Sequence, residues 1–251
     1  MNLDEAAEAF RQFVDVVKAL RTPGTGCPWD LEQTHATLRP YLLEEACEVI
    51  DAIDAGDDAA LREELGDLLL QVVLHGQLAD DRAAFSVTEV VRGITEKMVR
   101  RHPHVFGPAR VRGSEEVLRN WERIKAEEKR EAGRPPSPSA GLEGVPRSLP
   151  ALLRAQRLLE KAAKAGFAGP SLEGVLGQVR EKLAGLEDAI EGRERPDEPP
   201  SPPQQELGDL LFNLCQLARR LGLSAEDSLR ATSGRFIEQF RQTEGQAPAT
   251  E

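Results

Sequence analysis

Apolar residues recur at intervals of three and four through most of the chain, which is the spacing of one helix face. Phe10, Phe13, Val14, Val17 and Leu20 predict a helix over 5–20. Pro23, Gly24, Gly26 and Pro28 then mark a turn. Thr34 or Thr37 is placed to cap a second helix, which Pro40 enters in its first turn. That helix runs to about residue 55, with Leu42, Ala46, Val49, Ile50 and Ile53 as its apolar stripe, and Gly56-Asp57-Asp58 ends it. A third helix is predicted over 59–79. A fourth starts behind Ser86 as N-cap and runs to about Arg101, ahead of Pro103. A charged helix follows over 114–132.

The pattern then repeats. Glu64-Leu65-Gly66-Asp67-Leu68-Leu69 recurs letter for letter as Glu206-Leu207-Gly208-Asp209-Leu210-Leu211. Asp51-Ala52-Ile53 recurs as Asp188-Ala189-Ile190, the Gly26 turn as a Gly166 turn, and Ser86 as Ser224. A duplicated unit of four main helices explains this order. Ten of the 17 prolines crowd into 134–150 and 191–203, where they read as linker or loop. The expected organisation is a first domain over 1–133, a Pro-rich linker over 134–150 and a second domain over 151–251. Each domain closes its core with helices alone, so the fold class is all-α.

Composition agrees. Aromatic residues make up only 4%, so the core rests on Leu, Val, Ile and Ala. The net charge of −11 over 251 residues argues against binding a nucleic-acid polymer, which needs a basic footprint. It remains compatible with a small polyanion that arrives with a cation. No apolar run reaches the ~18 residues of a membrane span, and Asp4, Glu5 and Glu8 stand where a signal peptide would be basic. The three cysteines, Cys27, Cys47 and Cys215, form no CxxC, which fits a reducing cytoplasm. Cys47 reads as a small core residue.

Two carboxylate pairs carry the candidate chemistry. Glu45 and Glu48 project from one face of a helix, and Glu64 and Asp67 repeat that spacing on the next. Either pair alone is ordinary on a solvated helix face. Here both adjoin Leu- and Val-rich sequence, and antiparallel packing would bring all four acids together. Such a cluster repels itself unless a hard cation binds, and oxygen-only ligands suit Mg²⁺ or Mn²⁺. Gly66, a poor helix former, fits a close backbone approach. Lys97, Arg100 and Arg101 share one side of the fourth helix. They either complement its dipole or hold phosphate. No P-loop motif, GxGxxG or HExxH occurs. The Glu32/His35 pair lies beside a turn, and His102-Pro103-His104 reads as a helix-ending loop.

The segment 26–67, GCPWDLEQTHATLRPYLLEEACEVIDAIDAGDDAALREELGD, resembles the MazG family of nucleoside triphosphate pyrophosphohydrolases. The resemblance lies in Glu44-Glu45-x-x-Glu48, then fifteen residues, then Glu64-x-x-Asp67. RRHPHVFG at 100–107 and VPRSLPALLRAQ at 145–156 extend it over nearly the whole chain. It implies a tandem form with two four-helix bundles, and a homodimer. The implied activity is Mg²⁺-dependent hydrolysis of NTPs or dNTPs between the α- and β-phosphates, for cleansing the nucleotide pool. It also implies Glu45, Glu48, Glu64 and Asp67 as metal ligands, with Glu44 and Glu45 as catalytic carboxylates. Lys97, Arg100 and Arg101 would hold phosphate, and Trp29 would approach the base.

The second half departs from this pattern. Glu181-Lys182-Leu183-Ala184-Gly185 stands where Glu44-Glu45-Ala46-Cys47-Glu48 should recur. Lys182 thus replaces Glu45, and Gly185 replaces Glu48. Arg235 matches Lys97, but Glu238 and Gln239 replace Arg100 and Arg101. A silent second domain is expected, with Lys182 neutralising Glu206 or Asp209. Two other readings remain open: a helical dimerisation or regulatory module without turnover, and a pyrophosphatase narrowed to one modified or pyrimidine nucleotide.

Overall fold

A computed structural model of the chain describes residues 2–131, 133, 142, 144–167, 169–193 and 201–244. Every regular element among them is a helix; no strand occurs among the described residues. The chain divides into two compact units, Met1–Lys125 and Ala126–Glu251. Most of the expected linker at 134–150, and 194–200 of the second Pro-rich stretch, lie outside the described residues.

The first unit contains α1 (Leu3–Leu20), α2 (Pro28–Glu32), α3 (Arg39–Ala55), α4 (Asp58–Asp80), α5 (Val87–Arg101) and α6 (Pro103–Phe106). The charged helix α7 (Ser114–Glu131) crosses the division between units. The four main helices fall where the spacing placed them. The two short ones were read as a turn and a break. Each opens on a proline, whose fixed φ and missing N–H suit a first helical turn as well as a stop.

Local chemistry sets the boundaries. Gly56 ends α3 in the left-handed conformation, at φ 66°. The Asp57 side chain then accepts from the Ala59 and Ala60 N–H groups and starts α4. Ser86 and Glu89 form a capping box at the head of α5. The expected threonine cap of α3 does not form. Leu38 is the N-cap instead, and Thr34 and Thr37 bond to each other's backbone N–H across the preceding turn.

Helix α4 is the hub of this unit, packing against α3, α1 and α5. Its C-terminal half supplies Val73, Leu74 and Leu78 to a core shared with Val17 and Leu38, flanked by Phe10, Phe13, Val14, Leu70 and Val87. Gly76 lets α5 approach: a Cβ there would stand 3.1 Å from Val87 Cβ. The N-terminal half of α4 is covered less well. Leu65 is 49% exposed and Ile53 on α3 is 57% exposed. Of the α3 stripe, Val49 is buried, whereas Leu42, Ile50 and Ile53 are not. Cys47, expected in the core, is exposed on the same helix. The apolar band of α3 is therefore wider than the described residues of the first unit cover.

The second unit repeats the order with α8 (Ala151–Lys164), α9 (Leu172–Glu191), α10 (Pro203–Arg220) and α11 (Ala225–Glu244). Here α10 is the hub, packed on α9, α8 and α11. Its core includes Leu159, Val175 and Cys215. Gln156 ties α8 to the head of α11 by donating to the Leu223 carbonyl and accepting from the Ala225 N–H. Ser224 caps α11 through the Asp227 N–H, as Ser86 caps α5.

Candidate functional site

The α3–α4 hairpin explains why two distant carboxylate pairs meet. Glu48 lies eight residues before Gly56 and Glu64 eight after it; Glu45 and Asp67 lie eleven before and eleven after. In an antiparallel helix pair, equal separations from the turn place residues level with one another. Glu45, Glu48 and Glu64 each present a carboxylate oxygen within 4.8 Å of the others. Asp67 stands outside that set of three but close enough to act on it electrostatically, as the shifts of its neighbours show.

Metal-free, this arrangement is under electrostatic load. Glu45 titrates above the ordinary glutamate value, first because burial disfavours its charge and then because Asp67 and Glu48 stand beside it. Glu64 shifts the same way, through desolvation and then the charges of Glu48, Asp67 and Glu63. Converging carboxylate oxygens form a hard, anionic donor set that fits a hard divalent ion. Its binding would remove the repulsion that raises both groups.

Gln71, one helical turn beyond Asp67, had no place in the sequence-based site. It is buried, and its Nε2 donates to Glu45 Oε1 at 3.5 Å. Its Oε1 has no hydrogen-bond partner among the described residues. Gln71 therefore steadies Glu45 from behind. A polar residue i+4 from Asp67, within an otherwise Leu/Val-rich run, was the available signal.

Glu44 is exposed and does not join the group of three. Lys97, Arg100 and Arg101 occupy the last two turns of α5, the helix packed on α4. Lys97 and Arg100 are exposed. The Arg101 guanidinium lies over the Trp121 ring, 5.2 Å from its centroid, a contact that sequence reading missed. His102 caps α5, donates from Nδ1 to the Met98 carbonyl at 2.7 Å and meets Trp121 edge-on. Trp29 is 48% exposed and packs edge-to-face on Tyr41. His35 joins no acidic group; its Nδ1 lies 2.7 Å from that of His75. Gly66 meets no close backbone: a Cβ there would have nothing within 4 Å. The close approach expected at Gly66 occurs instead at Gly76, where α5 crosses.

In the second unit the corresponding positions form an ion pair. Lys182 Nζ lies 3.1 Å from Asp209 and 3.7 Å from Glu206. The lysine is held above its ordinary value, first by the hydrogen bond to Asp209. The expected neutralisation is thus present in the structure.

Comparison with known proteins places the sequence in a family. Residues 33–106 match the family model described as the MazG nucleotide pyrophosphohydrolase domain. These residues span α3, α4 and α5 and include Glu44, Glu45, Glu48, Glu64 and Asp67. The "Nucleoside triphosphate pyrophosphohydrolase/pyrophosphatase MazG" of Thermotoga maritima is 40% identical over 96% of this chain and 88% of its own length. The "Nucleoside triphosphate pyrophosphohydrolase" of Escherichia coli K12 is also 40% identical, over 93% of this chain and 86% of its own. "Uncharacterized protein YabN" of Bacillus subtilis is 42% identical over 92% of this chain but 45% of its own length. Similarity at this level, running through both units, means that the chain belongs to the MazG family.

Proposed function

We propose that this chain is a Mg²⁺-dependent nucleoside triphosphate pyrophosphohydrolase, active in its first unit and serving to cleanse the nucleotide pool. The convergence of Glu45, Glu48 and Glu64 within 4.8 Å carries the reading. The curated relatives named for this activity support it. Water adds to the α-phosphorus, the bond from that phosphorus to the bridging oxygen breaks, and nucleoside monophosphate and pyrophosphate leave. Glu45, Glu48, Glu64 and Asp67 hold the cation, with Mn²⁺ as a substitute. Bound there, the ion would supply positive charge to the phosphate oxygens. Glu44 takes the proton of the attacking water, assisted by Glu45. Lys97, Arg100 and Arg101 hold the triphosphate, and Trp29 packs against the base.

In this reading 134–150 links a catalytic domain over 1–133 to a structural one over 151–251. The second domain lacks two of the four acidic ligands. The apolar band on α3 and α4 is buried against a second copy, giving a homodimer. Nucleic-acid polymers and membranes are not partners. No helix among the described residues is long and apolar enough to cross a membrane. The site of action is the cytoplasm.

A panel of NTPs and dNTPs with Mg²⁺, read for monophosphate and pyrophosphate, tests this. The panel should give both products for at least one nucleotide, with EDTA or Glu48→Ala abolishing them. No product across the panel, or turnover unchanged in Glu48→Ala, would overturn it in favour of a helical module without turnover.

A further inference from the structure

In the first unit, the four positions Glu45, Glu48, Glu64 and Asp67 carry a formal charge of −4. In the second, the matching positions are Lys182, Gly185, Glu206 and Asp209, and their sum is −1. The α9–α10 scaffold that would bring them together is retained, with α10 as hub. Glu206 still faces inward. Its side chain is 8% exposed, and its Oε2 has no hydrogen-bond partner. An ionised carboxylate buried this deeply requires a nearby positive charge. Lys182 Nζ stands 3.7 Å from Glu206 and 3.1 Å from Asp209, between two carboxylates whose counterparts in the first unit belong to the acidic site.

We propose that Lys182 is the resident cation of this remnant. Its ammonium takes the place that a divalent ion takes in the first unit, so the second unit closes without metal and is shut to it. The inference rests on the proposed metal site of the first unit for its comparison, but on Lys182, Glu206 and Asp209 for its geometry. A lysine at this position supplies one charge permanently, where an ion must be recruited from solution. A divalent ion added to the intact set would bring the sum from −1 to +1, with the ammonium repelling it. Removing Lys182 leaves two facing carboxylates, which is enough to attract a divalent ion weakly.

The test uses the full chain carrying Glu48→Ala and Asp67→Ala, which removes the first unit's binding. To this parent are added Lys182→Ala, Lys182→Arg, or the uncharged set Lys182→Met, Glu206→Gln and Asp209→Asn. Thermal unfolding is followed by circular dichroism in EDTA and in MgCl₂, and Mn²⁺ binding by electron paramagnetic resonance. In EDTA, Lys182→Ala should unfold about 3 °C or more below the parent. Mg²⁺ should restore part of that loss, and one weak Mn²⁺ site should appear. Lys182→Arg should keep the parent's unfolding temperature and bind no Mn²⁺ there. The uncharged set should recover the parent's temperature, which keeps the test decisive if Lys182→Ala does not fold.

An unchanged unfolding temperature in Lys182→Ala would overturn the proposal. So would a parent that binds Mn²⁺ as well as Lys182→Ala does, or an uncharged set that stays destabilised. Failure of the first-unit reading looks different: wild-type chain would show no Mn²⁺ binding that Glu48→Ala and Asp67→Ala abolish, while the EDTA unfolding series would still stand.

Discussion

Replacing Glu48 by Gln should make the metal-free protein more stable and the enzyme inactive. Glu48 Oε and Glu45 Oε lie within 4.8 Å of each other. Two unit charges at that distance repel by about 1 kcal/mol even at a water-like dielectric. Salt screens part of this, because Glu48 is exposed. Gln keeps the shape and an acceptor oxygen while its amide donates to Glu45, turning repulsion into a hydrogen bond. In a chain of this size a gain near 1 kcal/mol raises the unfolding temperature by about 2–4 °C. Both tryptophans, Trp29 and Trp121, lie in the first unit, so their fluorescence follows that unit selectively. The assay is fluorescence-detected unfolding in EDTA at low salt and neutral pH, repeated with MgCl₂. Glu48→Gln should unfold higher than wild type in EDTA, respond less to Mg²⁺ and lose pyrophosphate release. A lower unfolding temperature in EDTA, or an undiminished response to Mg²⁺, would refute the reasoning.

Other outcomes follow from the same structure. Gly76→Ala should destabilise the first unit by about 1 kcal/mol in urea unfolding, because overpacking against Val87 outweighs the gain in helix propensity. Gly66→Ala should stabilise the isolated chain by about 0.5–1 kcal/mol in the same assay, since its Cβ meets nothing within 4 Å. Glu45 and Glu64 both titrate above the ordinary 4.5, so their protonation favours the fold. Their contribution in EDTA is full below that value and is lost as pH rises through the shifted values; fluorescence-detected unfolding across pH checks this. Mg²⁺ should reverse that trend, because it binds the ionised form. Trp29→Ala should raise KM for the nucleotide with a smaller change in kcat, measured by steady-state kinetics.

The fold was legible because its main helices are periodic and punctuated. Gly56-Asp57 and Ser86 marked boundaries that the structure keeps. Helices α2 and α6 escaped because a proline that starts one turn of helix carries the same letters as one that breaks a chain. The carboxylate pairs were legible because their equal distances from Gly56 survive any antiparallel packing. Contacts between elements far apart in sequence were not. Trp121 beneath Arg101 and Gln71 behind Glu45 depend on which helices cross and at what rotation. Gly66 and Gly76 show the same limit, since only the packed structure tells which of two helical glycines another backbone approaches. Cys47 and Ile53 were assigned to a core because their helix is apolar. The described residues of the first unit leave part of that band exposed.

The central claim is that the acidic set of the first unit, and not its remnant in the second, performs the hydrolysis. Phosphorus-31 NMR of an accepted nucleoside triphosphate with Mg²⁺ tests it most directly, run on wild type, Asp67→Ala, and the pair Glu206→Ala with Asp209→Ala. The expected result is pyrophosphate and nucleoside monophosphate from wild type and from the second-unit pair, and no turnover from Asp67→Ala. Orthophosphate and a nucleoside diphosphate as first products, turnover persisting in Asp67→Ala, or its loss in the folded second-unit pair would contradict the account.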